Sequence, residues 1–568
     1  MIKTLPIISL ILLLAVTAPT PPGAAARKPA DPVRITVIQT TDIHGRLAAW
    51  DYFRGAPADL GLVRVAAHVR AARQDNPHLL LIDNGDSIQG SPLAYYYAEV
   101  KADEPNPVIQ TMNAMGYDAM TVGNHEYNFG LDVLQRCRRE ARFPFLSANT
   151  YRTDRPDQPF FEPYIVRQYG PVRIGVLGLT TRNIPNWETP ANYAGLEFRE
   201  TLQEAVRWVK VLRDQERVDA VIVNTHEGYE ADLETGQPNG SGYENAAWAI
   251  LQQVPGVDVL LTGHAHENIP PRLVNGVLTA QGHRWAEHLV QLDLVFRKQG
   301  KRWTLAEKTG RNVPMKGPED PAVAALVEPA HAATLRWLDE TIGTAEDDLS
   351  AEGVYVRDNP LLDLVHTVMR EHTGAQMSMA AYLPGRPLTI RRGDIKVRDI
   401  YALYVYENTT VTLGLSGKDV AAALEHAAGV YDQAEWDPGQ QLLRLGQAPN
   451  FRMYNFDTLS GADYAIDPTR PAGERLRYLY YQNRPIDPAA EFTVAVSNYQ
   501  AVGGGHYDMF QRGRRIAFDS TDIRTLIIQH IRRKGRLAPE CDHNWHLAVP
   551  VELRLAARRT TAPASDSR

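Results

Sequence analysis

Residues 121–130 read Thr121-Val122-Gly123-Asn124-His125-Glu126-Tyr127-Asn128-Phe129-Gly130, and this stretch decides how the rest of the chain is read. Val122 closes an apolar run that reads as the end of a strand, and Gly123 permits a sharp turn directly after it. Asn124 then offers a neutral carbonyl oxygen, with the His125 imidazole beside it. One metal ligand and one proton donor are thereby set at the mouth of a sheet. Four further pieces look like its complement: Asp42-x-His44, Gly85-Asp86, Asn224-x-His226 and Gly263-His264-x-His266. Together the five pieces read as one two-metal hydrolytic site.

The strands that carry them follow from pattern. Residues 33–40 (VRITVIQT) alternate and are rich in β-branched side chains, which predicts a strand running into Thr41-Asp42-Ile43-His44. Residues 61–73 read as a helix, 78–82 as a buried strand ending in Asp83-Asn84-Gly85-Asp86, 107–115 as a helix, and 118–122 as a third strand. Strand followed by polar loop recurs at 218–223, before Asn224-Thr225-His226, and at 257–261, before Thr262-Gly263-His264. Alternating strands and helices predict an α/β core. Open α/β sheets place ligands just past strand carboxyl ends, which is where these polar residues fall.

A chain of 568 residues exceeds one ordinary core, so two domains are expected. The first spans 33–317. PEDPAVAALVEPAHAATLRWLDETIG reads as a mostly helical connector over 318–342, and a second unit with its own strands at 410–415, 478–481 and 492–497 spans 343–555. At the start, Lys3 and the apolar run from Leu5 to Val16, followed by Ala24-Ala25-Ala26, predict a signal peptide over 1–26; the run is shorter than a bilayer span. The polar tail 556–568 is expected to be disordered. Export follows, to the periplasm if the host is Gram-negative, with no membrane attachment after cleavage. Charged residues make up 22% and net charge is −7, which argues against a nucleic-acid polymer as partner. Two cysteines, Cys137 and Cys541, leave pairing open, and the lack of CxxC argues against a thiolate zinc site.

Asp42, His44, Asp86, Asn124, His226, His264 and His266 supply two carboxylates, four imidazoles and one amide. Mixed oxygen and nitrogen donors favour Mn, Fe, Co or Zn over Mg or Ca. Two divalent ions need a shared ligand, and Asp86 is the best candidate bridge because each of its oxygens can take one ion. Such a pair would activate water at neutral pH and neutralise charge on a phosphoryl group. His283 and His288, in QGHRWAEHL, are left outside the ligand set.

These motifs resemble the calcineurin-like metallophosphoesterase pattern. More narrowly, TDIHG, DNGDSIQGSPLA (83–94), GNHEYNFGLD (123–132), GHAH (263–266), YNFD (454–457) and SNYQAVGGG (497–505) resemble the two-domain 5′-nucleotidase family, and within it the 2′,3′-cyclic-nucleotide 2′-phosphodiesterase/3′-nucleotidase branch. The resemblance spans about residues 33–548. It implies a layered α/β/β/α metallophosphoesterase domain followed by an α/β nucleoside-binding domain. It assigns one ion to Asp42, His44, Asp86 and His266, the other to Asp86, Asn124, His226 and His264, and transition-state stabilisation or leaving-group protonation to His125. Where plain 5′-nucleotidases usually carry an Asp three residues after that histidine, this chain has Asn128, as in the cyclic branch. Tyr454 and Tyr499 match the aromatic pair that sandwiches the base, with Gly503, Gly504 and Gly505 allowing close backbone approach. Arg386, Arg391 and Arg392 are open candidates for the family's arginine loop. The implied activity is hydrolysis of ribonucleoside 2′,3′-cyclic monophosphates by a monomer that binds small-molecule nucleotides. The alternatives are a 5′-nucleotidase or broad nucleotide phosphatase, and a secreted nucleotide-binding protein without catalysis.

Overall fold

The computed structural model describes residues 31–432, 434–437, 442–445 and 453–548. The expected signal segment (1–26), the tail (556–568) and residues 549–555 of the second unit lie outside the described residues. Among those described, no helix is long and apolar enough to cross a membrane.

The first half is built on two six-stranded sheets packed face to face. In one, Val33–Thr40 lies between Leu79–Asp83, its parallel neighbour, and the long strand His288–Gln299. In the other, Val172–Thr180, Ala220–His226 and Val259–Thr262 run parallel. Period-two alternation explains the layering. Ile35, Val37, Leu80 and Ile82 point inward, meeting Val176, Ile222, Val259 and Leu261 of the facing sheet. Ile38, Leu79 and Leu81 point outward, onto the helices Leu62–Asp75 and Pro107–Met115. On the far side Thr201–Asp214 and Ala247–Gln253 cover the second sheet. The result is the α/β/β/α sandwich.

Helix ends follow local chemistry. Pro107–Met115 starts at Asn106, whose side chain accepts from the Val108 and Ile109 amides, and stops at Gly116 in left-handed backbone. Pro321–Leu338 begins at Asp320, which accepts from the Ala322 and Val323 amides and pairs with Arg70 at 2.8 Å. Its last turn carries Trp337, which stacks on Tyr95 of the first domain and meets Tyr401 of the second edge-on, with centroids 5.9 and 5.5 Å apart.

The second domain centres on a five-stranded sheet in the order Asp457–Ser460, Met377–Ala381, Glu491–Ser497, Thr409–Ser416 and Arg514–Asp522. Pro360–Thr373 and Ile523–Lys534 pack on one face, and Gly417–Ala427 on the other. Polar contacts cross between domains. Tyr95 and Thr525 share a hydroxyl hydrogen bond of 2.6 Å, and Gln89 donates to Glu407, which Arg524 of the same second domain pairs with at 2.8 Å. Cys137 and Cys541 are both free thiols.

One boundary differs from the sequence pattern in a way that matters. Rather than ending near residue 223, the strand continues to His226, because Asn224, Thr225 and His226 pair in register with Gly178, Leu179 and Thr180. His226 is therefore held by a ladder, not a loop.

Candidate metal centre

Each expected ligand arrives from the carboxyl end of a parallel strand or one turn beyond it. Five of them hold left-handed backbone: Asp42, His44, Asp86, His264 and His266, with φ between 50° and 67°. For a non-glycine residue this costs on the order of 1–3 kcal/mol and persists only where surrounding structure over-determines it. Tight backbone packing does so here. Gly85 (φ 92°) lies against the backbone of Thr121 and Gly123, and a Cβ on Gly123 would overlap Asp86 and His226. The two glycines let the Asp86 loop and the Asn124 loop touch.

Glu126 ties these loops together. It is fully buried and accepts from the backbone amides of Asp86 (2.8 Å), Ser87 (2.7 Å), Ile88 (3.3 Å) and Gly123 (2.7 Å). Each buried donor left unpaired costs about 1–3 kcal/mol. Glu126→Ala is thus expected to lower the melting temperature and deplete bound metal together. A protein that melts as wild type with full metal content would refute this clamp. Behind it, the Asn224 amide joins the sheets: its oxygen accepts from Gln39 and Asn84, and its nitrogen donates to the Asp83 carbonyl and Thr121.

The donor atoms converge in two groups. Asp42, His44 and His266 form one and Asp86, His226 and His264 the other, each with its ligand atoms within 4.8 Å of one another. In the first, His44 Nε2 faces His266 Nε2 at 2.9 Å, and Asp42 Oδ1 lies 3.4 Å from the same His266 nitrogen. In the second, Asp86 Oδ2 is 3.0 Å and Asn124 Oδ1 3.2 Å from His226 Nε2. The groups adjoin: the His264 amide donates to Asp42 at 3.1 Å, and the His44 amide to the Asp86 carbonyl at 2.8 Å.

Outer contacts set the ring tautomers. His44 Nδ1 faces the Gln89 carbonyl at 3.1 Å and His226 Nδ1 faces the Asn84 carbonyl at 2.6 Å. Both Nδ1 atoms must donate, so both Nε2 atoms turn their coordinating position inward, as metal-ligating imidazoles do. His266 differs. Arg284, a donor only, approaches its Nδ1 at 3.3 Å, so an ion on His266 Nε2 requires that guanidinium to give way.

Electrostatics agree with a cation site. Burial, then the charge on His266, pushes the His44 imidazole down to about 3, leaving it neutral. Burial opposes charge on His226, but Asp86 prevails and raises it to about 10. Burial would raise Asp42 and Asp86; the hydrogen bond from His266 and the charge on His226, respectively, hold them below the usual carboxylate range. Two ring nitrogens aimed at each other beside buried carboxylates fit a cation better than a proton. The donor set present therefore fits divalent metal.

His125 stands at the rim, its Nε2 4.0 Å from Asp86 Oδ2 and its Nδ1 2.6 Å from Asn128 Oδ1. The expected tyrosine pair is brought together in the second domain. Tyr454 and Tyr499, 39% and 43% exposed, line one cleft of about 220 Å³ with Asn408, Asn455 and Gln500 on its polar edges. A third tyrosine that sequence reasoning missed, Tyr406, lines the same cleft at 47% exposure. Burial raises its phenol, and the charge of Arg284 opposes the rise. Arg284 thus sits beside His266 and within electrostatic reach of the tyrosine cleft.

Gly503, Gly504 and Gly505 do not line that cleft. A Cβ on Gly504 would come within 2.6 Å of the Tyr499 ring, and one on Gly505 within 2.6 Å of Asn455. Their smallness seats those two side chains. None of the arginine candidates lines the cleft either: Arg391 pairs with Asp348 at 2.6 Å, the Arg392 backbone amide donates to Asp348, and the Arg386 backbone carbonyl accepts from the Tyr382 hydroxyl.

Comparison with known proteins finds two family profiles along the chain. The profile of the calcineurin-like phosphoesterase family matches residues 35–268, and that of the 5′-nucleotidase C-terminal domain matches 341–512. The chain is 29% identical over 630 residues to the 2′,3′-cyclic-nucleotide 2′-phosphodiesterase/3′-nucleotidase of Yersinia enterocolitica, covering 97% of this chain and 93% of the relative. It is 28% identical over 600 residues to the trifunctional nucleotide phosphoesterase YfkN of Bacillus subtilis, covering 95% of this chain but only 40% of that longer protein. A solved structure of a 5′-nucleotidase-like protein from Staphylococcus aureus superposes with a TM-score of 0.76 at 24% identity, over 91% of this chain and all of the other.

Proposed function

A chain that joins a calcineurin-like phosphoesterase domain to a 5′-nucleotidase C-terminal domain is a metal-dependent phosphoester hydrolase, and we propose that its substrates are ribonucleoside 2′,3′-cyclic monophosphates and then the resulting 3′-monophosphates. One observation carries the reading: a set of metal donors at strand ends in one domain and a tyrosine cleft in the other. Asn128 beside His125, where a 5′-nucleotidase usually has a carboxylate, favours cyclic substrates over 5′-monophosphates.

In this reading Asp42, His44, Asp86 and His266 hold one ion, and Asp86, Asn124, His226 and His264 the other. When bound, such a pair activates water and neutralises charge developing on the phosphoryl group. The residues of the chain do the rest. Tyr454 and Tyr499 stack on the base, and the amide edges of Asn408, Asn455 and Gln500 offer it hydrogen bonds. Arg284 faces the phosphate and the ribose between the two sites. His125 Nε2 delivers a proton to the departing 2′-oxygen, and then to the 3′-oxygen in the second step. The N-terminal sequence supports export, and the biological role would be recovery of nucleoside and phosphate outside the cytoplasm.

Side-by-side turnover of 2′,3′-cyclic AMP, 3′-AMP and 5′-AMP, with metal removed and restored, tests this. Cyclic AMP and 3′-AMP should be hydrolysed well and 5′-AMP poorly. Preference for 5′-AMP without cyclic activity would overturn it. Stacking is sequence-tolerant and worth about 1–3 kcal/mol per base. Tyr499→Ala should therefore raise KM by about 5- to 150-fold with kcat nearly unchanged, because uniform binding is lost. An unchanged KM would assign the ring to packing.

A further inference from the structure

We propose that Glu188 is a positioning residue for His125: its carboxylate fixes which way the Asn128 amide faces, and that amide fixes which ring nitrogen of His125 donates. The inference rests on the reading of His125 as the group at the leaving oxygen. By sequence, Asn128 removes the carboxylate that would pair with this histidine. In the structure the carboxylate is present one link further out.

Glu188 follows the short helical turn Ile184–Trp187 and is 5% exposed. Its Oε1 accepts from Asn128 Nδ2, and its Oε2 accepts from Asn192 Nδ2 at 2.8 Å. Asn192 Nδ2 also donates to the Asn128 carbonyl at 3.2 Å, which fixes the backbone of the same residue. Burial pushes the Glu188 carboxyl up to about 7, but each of its oxygens faces an amide NH2, so both accept and Asn128 is held by its NH2 end. The opposite end, Oδ1, then faces His125 Nδ1 at 2.6 Å. A carbonyl oxygen also only accepts, so Nδ1 must donate. His125 Nε2 is left toward the metal cluster, 4.0 Å from Asp86 Oδ2.

Without the carboxylate the amide has two orientations of similar energy. Turned over, it would point NH2 at His125 Nδ1 and force the lone pair onto that nitrogen; the ring could then not carry both protons, and only a ring that keeps its Nδ1 proton can give one up from Nε2 to a leaving oxygen. Glu188 thus does for this chain what a directly bonded carboxylate does when it sits on the imidazole itself. The shape of the site is unchanged by the choice, so the effect belongs to kcat and not to binding.

Glu188→Gln keeps side-chain size but can present either a donor or an acceptor. With the nucleotide that the native enzyme turns over fastest, kcat is expected to fall about 10- to 100-fold, as for other outer partners of site histidines. KM and metal content should stay within about twofold. Adding Asn128→Asp to that variant places an acceptor-only carboxylate directly on Nδ1 and should restore most of kcat. In the native background the same Asn128→Asp sets two carboxylates face to face and should lower kcat about tenfold, because like charges disfavour sharing a buried site. That single variant carries the test if Glu188→Gln fails to fold. Native kcat in Glu188→Gln, no recovery in the double variant, or undiminished kcat in Asn128→Asp alone would overturn the proposal. Failure of the substrate reading shows separately, as preference for 5′-AMP in the native enzyme.

Discussion

Replacing Asp86 with alanine is expected to lower turnover of every phosphoester substrate more than about a thousandfold and to deplete bound metal, since it removes charge stabilisation at the reacting phosphoryl group. Asp86 is buried in the donor group with His226 and His264, and its backbone carbonyl accepts from the His44 amide of the other group. Its Oδ1 accepts from the His125 amide at 2.8 Å, and its Oδ2 meets His226 at 3.0 Å. Its removal strips the shared carboxylate from the proposed pair of ions and loosens the turn that carries Asn124 and His125. The His226 ring also loses the carboxylate that lies 3.0 Å from its Nε2. Metal analysis of the purified variant alongside kcat measures the effect. Turnover within tenfold of native with two equivalents of metal retained would show that Asp86 is no bridge.

His125→Ala should have the next largest effect, and a different signature. Positioned proton transfer contributes about 10²- to 10⁴-fold, so kcat should fall by that range. Metal content should not change, because the ring lies outside both donor groups. KM should stay close to native, since Tyr454 and Tyr499 hold the base elsewhere. A nitrophenyl phosphodiester provides the discriminating measurement. Its leaving oxygen needs little protonation, so its hydrolysis should suffer far less than that of cyclic AMP. Equal losses on both substrates would assign His125 to charge stabilisation alone.

The strands and their polar ends were legible because their causes are local. Val33–Thr40 alternates, Pro107–Met115 carries its own cap and stop, and each ligand motif follows an apolar run. Other features depend on residues remote in sequence. Nothing about Glu188 signals that it meets Asn128, sixty positions earlier, across a turn. Arg284 sits in a stretch whose histidines drew attention while the arginine did not, yet it is the arginine that reaches His266. The glycines at 503–505 were visible, but the ring and amide pressed against them are fixed only by tertiary packing.

Backbone conformation was also hidden. A left-handed residue is normally read from glycine or asparagine, and here aspartate and histidine occupy it at five ligand positions. The Glu126 clamp and the Asn224 amide hold that backbone in place. Local preference is overridden where the site requires it, as expected at a functional centre.

The most direct test of the central claim is anomalous diffraction from crystals of the manganese-loaded protein. Two peaks about 3.5–4 Å apart are predicted: one in contact with Asp42, His44, Asp86 and His266, the other with Asp86, Asn124, His226 and His264. A single peak, or a pair that leaves Asp86 uncoordinated, would contradict it.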